Sequence, residues 1–389
     1  MSFLPFNRTY RHIRRYQQII RILMKYGFDD ILAQLRLDYY LPLRRKVLPG
    51  TRQKERLEEF VTRPQRIRKA FEELGPTFIK LGQLLSVRPD LIPADYATEF
   101  SKLLDEVPTF SSQQARKIIE HELRKPVESC FKSFDSEPIS AASIAQVHHA
   151  ISEAGDLVVV KIQRPNIEKT IEEDILILYD LAYLAEKYLA ESQIVDPVGI
   201  VDEFAQTIRR EIDFIREGHN IERFGKNFSD DPTMYVPTVY WEFSTRRVLT
   251  MERIEGIKLN QLDPAQFTEE ERKEIAVRGA NSILREIFEH GFFHADPHPA
   301  NIFLLDGLVI APVDFGIMGT IDEQTKDRLS SLLRGVVDKD VNKIIRSFYN
   351  LGYLDYNFDT KGLQREIYEY IDRYHGLPLE QIDPTQNIP

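Results

Sequence analysis

The sequence predicts an α+β chain: a helical prelude, then a small sheet-bearing lobe, then a mostly helical lobe. Three observations predict it. Residues 143–152 (SIAQVHHAIS) and 157–162 (LVVVKI) are short, β-branched runs separated by Glu153-Ala154-Gly155-Asp156, which is a hairpin signal. Segments of helical periodicity flank that hairpin on both sides. A second hairpin, NIFLLDGLVIAPVDFG (301–316), sits alone within the helical second half.

The prelude opens with basic helices over about residues 10–46. Ile13, Tyr16, Ile19, Ile20, Ile22, Leu23 and Met24 form an apolar stripe beside Arg11, Arg14, Arg15, Arg21 and Lys25. Two readings fit: an amphipathic segment on an anionic membrane, or a helix docked on the domain behind it. A further helix is expected from Arg63 to about Leu85, resuming after Gly75-Pro76, where proline suits a first helical turn. Residues 111–125 read as helix with Ser111 or Ser112 as cap. After the first hairpin come two amphipathic helices, 167–190 and 198–226, split by Asp196-Pro197. Strand character resumes over 234–251 and helix over about 268–290. The second hairpin is expected to turn on Asp306-Gly307, and helices return from Glu323. The expected partition is a basic arm (1–62), an extension (63–125), a sheet lobe with a helical insert (126–255) and a helical lobe (256–389).

Composition narrows the class. The 389 residues are 42% hydrophobic and 29% charged, which excludes disorder, collagen-like repeats and a disulfide scaffold. A single cysteine, Cys130, cannot close an intrachain disulfide and favours a reducing compartment. No run of about 18 apolar residues offers a membrane span, and the N-terminus lacks a signal core. Residues 1–70 carry 17 Lys/Arg against 6 Asp/Glu, a balance of +11; the remainder carries 34 against 55, or −21. That asymmetry suits an arm attracted to an anionic surface on an acidic body. The acidic body, and the lack of an aromatic-interleaved basic groove, argue against nucleic acid as partner.

The chemistry concentrates at 291–316. A two-residue turn would pair Leu305 with Leu308 and Asn301 with Pro312, bringing Asn301 and Asp314 to one end of the ribbon as diagonal neighbours roughly 5–8 Å apart. Two such oxygen ligands suit Mg²⁺. Asp296 lies five residues before Asn301, in a loop stiffened by Pro297 and Pro299. An Asp, an Asn five residues on and a later Asp-Phe-Gly is the protein-kinase spacing, met here by Asp296, Asn301 and Asp314-Phe315-Gly316. It gives Asp296 the part of base or orienter, and Asn301 and Asp314 that of metal ligands. His294 and His298 raise a zinc reading, but no cysteine partner accompanies them.

Lys161 closes the strand LVVVK, as does the sheet lysine that steadies nucleotide phosphates. Asp213 and Glu217, four apart on one helix face with Glu211 just before, supply carboxylates to hold it. The segment VLTMERIEG (248–256) resembles a kinase hinge, with backbone near Met251, Glu252 and Ile254 placed for an adenine edge.

Together these residues resemble one family, the UbiB/ADCK atypical kinases. Its KxGQ motif is met by Lys80-Leu81-Gly82-Gln83 and its alanine-rich nucleotide loop by residues 138–148, with Ser140, Ala141, Ala142 and Ser143 at its turn. Its ExD motif is met by Glu211-Ile212-Asp213, with Glu217 as ion-pair partner of Lys161, and its catalytic loop by HADPHPAN (294–301). The resemblance implies an α+β, protein-kinase-like bilobal fold with a helical N-terminal extension across the active site. Lys80 and Gln83 would then be regulatory residues, with Lys80 meeting Glu211 and Asp213. It implies ATP and Mg²⁺ as cofactors, and ATPase or atypical kinase activity serving ubiquinone or related isoprenoid-quinone synthesis. Ser140 departs from the family's alanine, Ala145 from its glycine, and Ala300 from a frequent glycine.

No Ala-Pro-Glu follows Asp314, and residues 316–329 read as running straight into a helix, so a peptide-docking activation segment is not expected. That leaves ATP hydrolysis, a small lipid-like acceptor or autophosphorylation. The alternative is a nucleotide-gated lipid-binding or scaffold pseudokinase without phosphoryl transfer. An aminoglycoside-kinase-type phosphotransferase shares the Asp-to-Asn loop, but the KxGQ segment argues against it. The expected partners are a nucleotide, isoprenoid-quinone precursors or biosynthetic enzymes, and an anionic membrane surface. The expected location is cytoplasmic, with peripheral attachment at the inner membrane face left open.

Overall fold

The computed structural model describes residues 6–35, 37, 62–88, 90–103, 108–188, 196–354 and 360–374, with side chains from Ile13 to Arg373. The basic stretch expected at 38–46 lies outside these residues. Two units emerge: residues 1–225, 236–255 and 313–317 form the first, and 226–235, 256–312 and 318–389 the second.

The first unit begins with α1 (Phe6–Lys25) and α2 (Asp29–Gln34). Tyr16, Ile19, Ile20 and Ile22 are buried and Ile13, Leu23 and Met24 half-buried, so most of the apolar stripe of α1 faces the protein. Its partners are α3 (Arg63–Leu74) and, further on, α7 (Ile167–Tyr188). The docked reading therefore describes this helix. Arg15 fixes it: Nε and Nη2 donate to the fully buried Asp174 of α7 at 2.6 and 2.9 Å, and Nη2 also donates to the Leu74 carbonyl.

Thr62 and Gln65 form a reciprocal capping box on α3, and α4 (Pro76–Ser86) starts directly after Gly75, whose φ of +98° makes the corner. With α5 (Ala94–Phe100), these helices bury stacked Phe71 and Phe100 (5.3 Å). Ser111 is the cap of α6 (Ser112–Leu123), again in a capping box, with Gln114.

The sheet of this unit comprises β1 (Phe131–Phe134), β2 (Ser140–Ala141), β3 (Ala145–Ser152), β4 (Leu157–Gln163) and later β5 (Val248–Glu252). The order is β1-β3-β4-β5, all antiparallel, with β2 also on β3. Strand alternation sends Val158, Val160 and Ile162, all fully buried, into a core with Ile118 and Ile119 of α6. Val159, Lys161 and Gln163 occupy the opposite face.

The helix expected over 198–226 is two helices, α8 (Pro197–Glu211) and α9 (Phe214–Asn227), broken inside the ExD motif. The Ile212 carbonyl is taken by the Gln163 amide, and Asp213 Oδ1 accepts from the Ile215 N–H as a cap would. Asp213 and Glu217 are therefore a capping residue and a helical residue, not two positions on one helix face. The strand expected at 234–251 is confined to β5. Residues 235–247 include a short 3₁₀ turn at Trp241–Phe243, and Val239 and Met234 make single bridges.

The second unit contains β6 (Ile257–Lys258), α10 (Glu269–Leu284) with a π-helical turn at Arg285–Glu289, and β7 (Phe292–His294). Then come β8 (Ile302–Leu305), β9 (Val309–Pro312), β10 (Met318–Thr320), α11 (Glu323–Val337), α12 (Val341–Leu351) and α13 (Thr360–Tyr374). The β8–β9 hairpin turns on three residues, not two: Leu305 pairs with Val309 and Ile302 with Pro312. Gly307 (φ +75°) and Leu308 (φ +59°) both take left-handed backbone, which shifts the register by one. Asn301 thus precedes the ladder, ending a 3₁₀ turn. Residues after Gly316 do not run straight into helix either, because β10 intervenes and pairs with β7.

Candidate functional site

The end of β4 gathers the ionisable groups of the first unit. Lys161 Nζ donates to Glu217 Oε1 of α9 at 2.6 Å, with the two side chains 14% and 2% exposed. The ammonium lies 5.3 Å from the centre of the Phe214 ring and 3.7 Å from Asp314 Oδ1. Burial alone would depress Lys161, but Asp314, Glu217 and Glu211 outweigh it and hold the ammonium well above the ordinary lysine range.

Asp314 is partly open, its side chain 42% exposed, and its Oδ1 accepts from the Gly316 N–H at 3.1 Å. Between them, Phe315 is fully buried and meets Phe224 edge-on at 5.2 Å, while its carbonyl accepts from Asn220 Nδ2. Both partners belong to the helix that carries Glu217. That helix therefore fixes the lysine by an ion pair and the Asp-Phe-Gly turn by packing.

The KxGQ segment reaches the same unit through α4. Lys80 Nζ lies 2.6 Å from Glu211 Oε1, both side chains largely withdrawn from water. Gln83 Nε2 donates to the Leu103 carbonyl. At Gly82 a Cβ would collide with Leu103 Cδ1 at 2.3 Å, which explains the glycine between them. A Cβ on Gly316 would stand 3.7 Å from Glu211 Cγ, so the first ExD carboxylate lies against the Asp-Phe-Gly turn.

The alanine-rich loop closes tightly, the Ala142 N–H donating to the Ala145 carbonyl at 2.8 Å. Ser140 is exposed, Ala141 and Ala142 are half-buried, and Ser143 is buried with its hydroxyl lacking a hydrogen-bond partner. At the hinge-like segment, the Glu252 and Arg253 N–H groups already donate to Thr238 and Leu157, and Met251 pairs with Val159. Ile254 is thus the residue of that group with main chain outside the ladder.

Asp296 and Asn301 belong to the second unit. Asp296 is exposed and Asn301 half-buried, in a run of local turns: His298 N–H donates to the Asp296 carbonyl, and Asn301 N–H to the His298 carbonyl. His294 Nδ1 accepts from the Asp296 N–H, and His298 Nδ1 from that of Ala300, so both imidazoles brace this loop. Glu286, in the π-helical turn, accepts from the Ser282 hydroxyl and the His294 N–H; burial pushes its carboxyl up.

Sequence reasoning missed several residues. Gln163 pins Ile212, Asn220 pins Phe315, and Glu286 pins His294. Buried Gln146 and His148 bond each other. The signal available was polar residues inside strands: Gln146 and His148 alternate with Ala150 along one face of β3, and Gln163 ends the largely apolar β4.

A strand lysine paired with a helix glutamate, joined to an Asp-Phe-Gly turn packed under that helix, defines a protein-kinase-like domain. The chain belongs to the ABC1 atypical kinase-like family, whose domain is matched by residues 102–348. It is 38% identical over 374 residues to a probable protein kinase UbiB of Pseudomonas fluorescens, covering 95% of this chain and 70% of that protein. It is 40% identical over 327 residues to an uncharacterized Synechocystis protein, covering 82% of this chain but 55% of that one. Among solved structures, Rv3197 of Mycobacterium tuberculosis, determined with erythromycin, aligns with a TM-score of 0.56 and 25% identity, over 77% of this chain and 76% of that one. The fold is thus α+β and protein-kinase-like with a helical N-terminal extension. No helix among the described residues is long and apolar enough to cross a membrane.

Proposed function

We propose that the chain is an Mg-ATP-dependent atypical kinase or ATPase. The observation that carries the reading is the Lys161–Glu217 ion pair with Asp314 3.7 Å away, beside a buried Phe315. The donors fit the group: the partly exposed Asp314 carboxylate and the Asn301 amide offer hard oxygens of the kind Mg²⁺ prefers. The unpartnered Ser143 hydroxyl lies in the loop assigned to the phosphates. Bound Mg²⁺ would neutralise charge on the phosphate oxygens. Lys161 donates to a phosphate oxygen while Glu217 fixes its reach. Ser140, Ala141, Ala142 and Ser143 line the phosphates, and Ile254, with Met251 and Glu252, meets the nucleobase. Asp296 orients the attacking hydroxyl or water and accepts its proton. Lys80 and Gln83, with Glu211 and Asp213, regulate access.

Relatives named UbiB support a place in ubiquinone or related isoprenoid-quinone synthesis, with a small lipid-like acceptor. A cytoplasmic protein peripheral to a membrane would suit that substrate. With the apolar face of α1 buried, attraction to an anionic membrane would rest on exposed cations such as Arg14, Arg21 and Lys25.

The test is calorimetric titration of the purified chain with ATP, with and without Mg²⁺, followed by phosphate release. Micromolar to millimolar binding that requires Mg²⁺ is expected; no binding in either condition would overturn the reading. The Lys80–Glu211 contact favours a second reading, a nucleotide-gated scaffold. Binding without turnover, even with lipid vesicles and a quinone-head phenol present, would select it.

A further inference from the structure

Arg164 follows β4 directly and makes bonds in two directions. Its Nε donates to the Ala142 carbonyl at 2.9 Å, inside the alanine-rich loop, and its Nη1 donates to the Pro108 carbonyl at 2.8 Å. The guanidinium carbon lies 5.9 Å from the centre of the Phe110 ring, and the Arg164 N–H donates to the Ile144 carbonyl. Buried Gln146 grips the same linker independently: its Oε1 accepts from the Phe110 N–H at 3.2 Å and its Nε2 donates to the Phe110 carbonyl at 3.3 Å. Residues 108–110 belong to the stretch leading from Leu103, the partner of Gln83, to the Ser111 cap.

The peptide plane gives the Ala142 contact a consequence. A trans peptide points its carbonyl and the next N–H in opposite directions. Holding the Ala142 oxygen toward Arg164 therefore turns the Ser143 N–H away from it. Successive main-chain N–H groups presented by a tight loop are a phosphate-binding device. A lysine offers one point of charge in place of the fixed fork that sets Nε and Nη1 against two separate carbonyls.

We propose that Arg164 is a positioning residue that ties the alanine-rich loop to the linker of the KxGQ extension. One guanidinium sets the orientation of the Ala142–Ser143 peptide and the path of residues 108–110 together. The nucleotide half of this inference rests on the proposed function; the tie between loop and linker does not.

The test is hydrogen exchange on the full chain and on Arg164→Gln and Arg164→Lys, without nucleotide and with Mg-ADP. In Arg164→Gln without nucleotide, amides of residues 109–111 and 142–145 should both exchange at least about tenfold faster, with residues 158–162 unchanged. Arg164→Lys should restore protection to one segment only. Loosening of a single segment in Arg164→Gln, or full restoration by lysine, overturns the tie. Should Arg164→Gln fail to fold, Arg164→Lys decides on the same criterion. In the parent, Mg-ADP should protect both segments. In turnover, Arg164→Gln should raise KM for ATP about tenfold with kcat within about twofold. A parent that binds no nucleotide sinks the proposed function, while the nucleotide-free exchange still decides the tie.

Discussion

Lys80 of the extension holds Glu211 of the ExD motif at 2.6 Å, and both side chains are nearly out of water. Removing Lys80 takes away the nearest cation of this largely buried carboxylate and leaves it the longer-range attraction of Lys161. Lys80→Met is therefore expected to destabilise the fold by about 3 kcal/mol in urea denaturation. Adding Glu211→Gln should return part of that loss, and strictly additive effects would show that the two residues are not coupled.

Glu217→Gln keeps the shape of the side chain and removes its charge. Lys161 then loses the charge of its 2.6 Å partner and is left with the Asp314 carboxylate at 3.7 Å and the attraction of Glu211. We expect ATP affinity to fall about tenfold, or 1.4 kcal/mol, by calorimetry. Unchanged affinity would mean that the ion pair does not position the lysine.

Asp296 and Asp314 are assigned different work, and their amide variants should separate it. Asp314→Asn should abolish the Mg²⁺ dependence of nucleotide binding. Asp296→Asn should leave binding within about threefold but cut phosphate release at least about 100-fold. Binding lost in Asp296→Asn, or turnover retained, would contradict the assignment.

His148 should make stability pH-dependent. Its Nδ1 donates to the Asp135 carbonyl, so its Nε2 accepts from Gln146, and the ring is the neutral tautomer. Burial holds it below the ordinary histidine value. The unfolded chain takes up a proton below about pH 6.5 while the folded chain does not. The stabilisation is thus complete above about 6.5 and is lost as pH falls toward the depressed folded value. His148→Asn, which retains a donor for Asp135, should flatten Tm against pH between 7 and 5; a parallel slope would refute this.

The candidate residues were readable from the chain because they sit at fixed spacings along single segments, and the structure brings Lys161, Glu217 and Asp314 together. Asp296, Asn301 and Asp314 are countable, and Lys161 ends an apolar run. The errors came where a tertiary contact overrode a local pattern. The helical periodicity of 198–226 is real, but a side chain from β4 captures the Ile212 carbonyl and Asp213 restarts the helix. Asp306-Gly307 is a strong two-residue turn signal, yet Leu308 also takes positive φ and slips the ladder by one. The three residues of β10 are too few to show a period, and they pair only because β7 lies alongside.

The buried Asp174 has a consequence for anyone trimming this protein. Its carboxylate is fully shielded and is met by Arg15, fifteen residues into the chain. Cutting away the first helix would therefore strand an interior anion and bare the aliphatic seam beneath it. The helix that carries Arg15 is an integral strut of the domain.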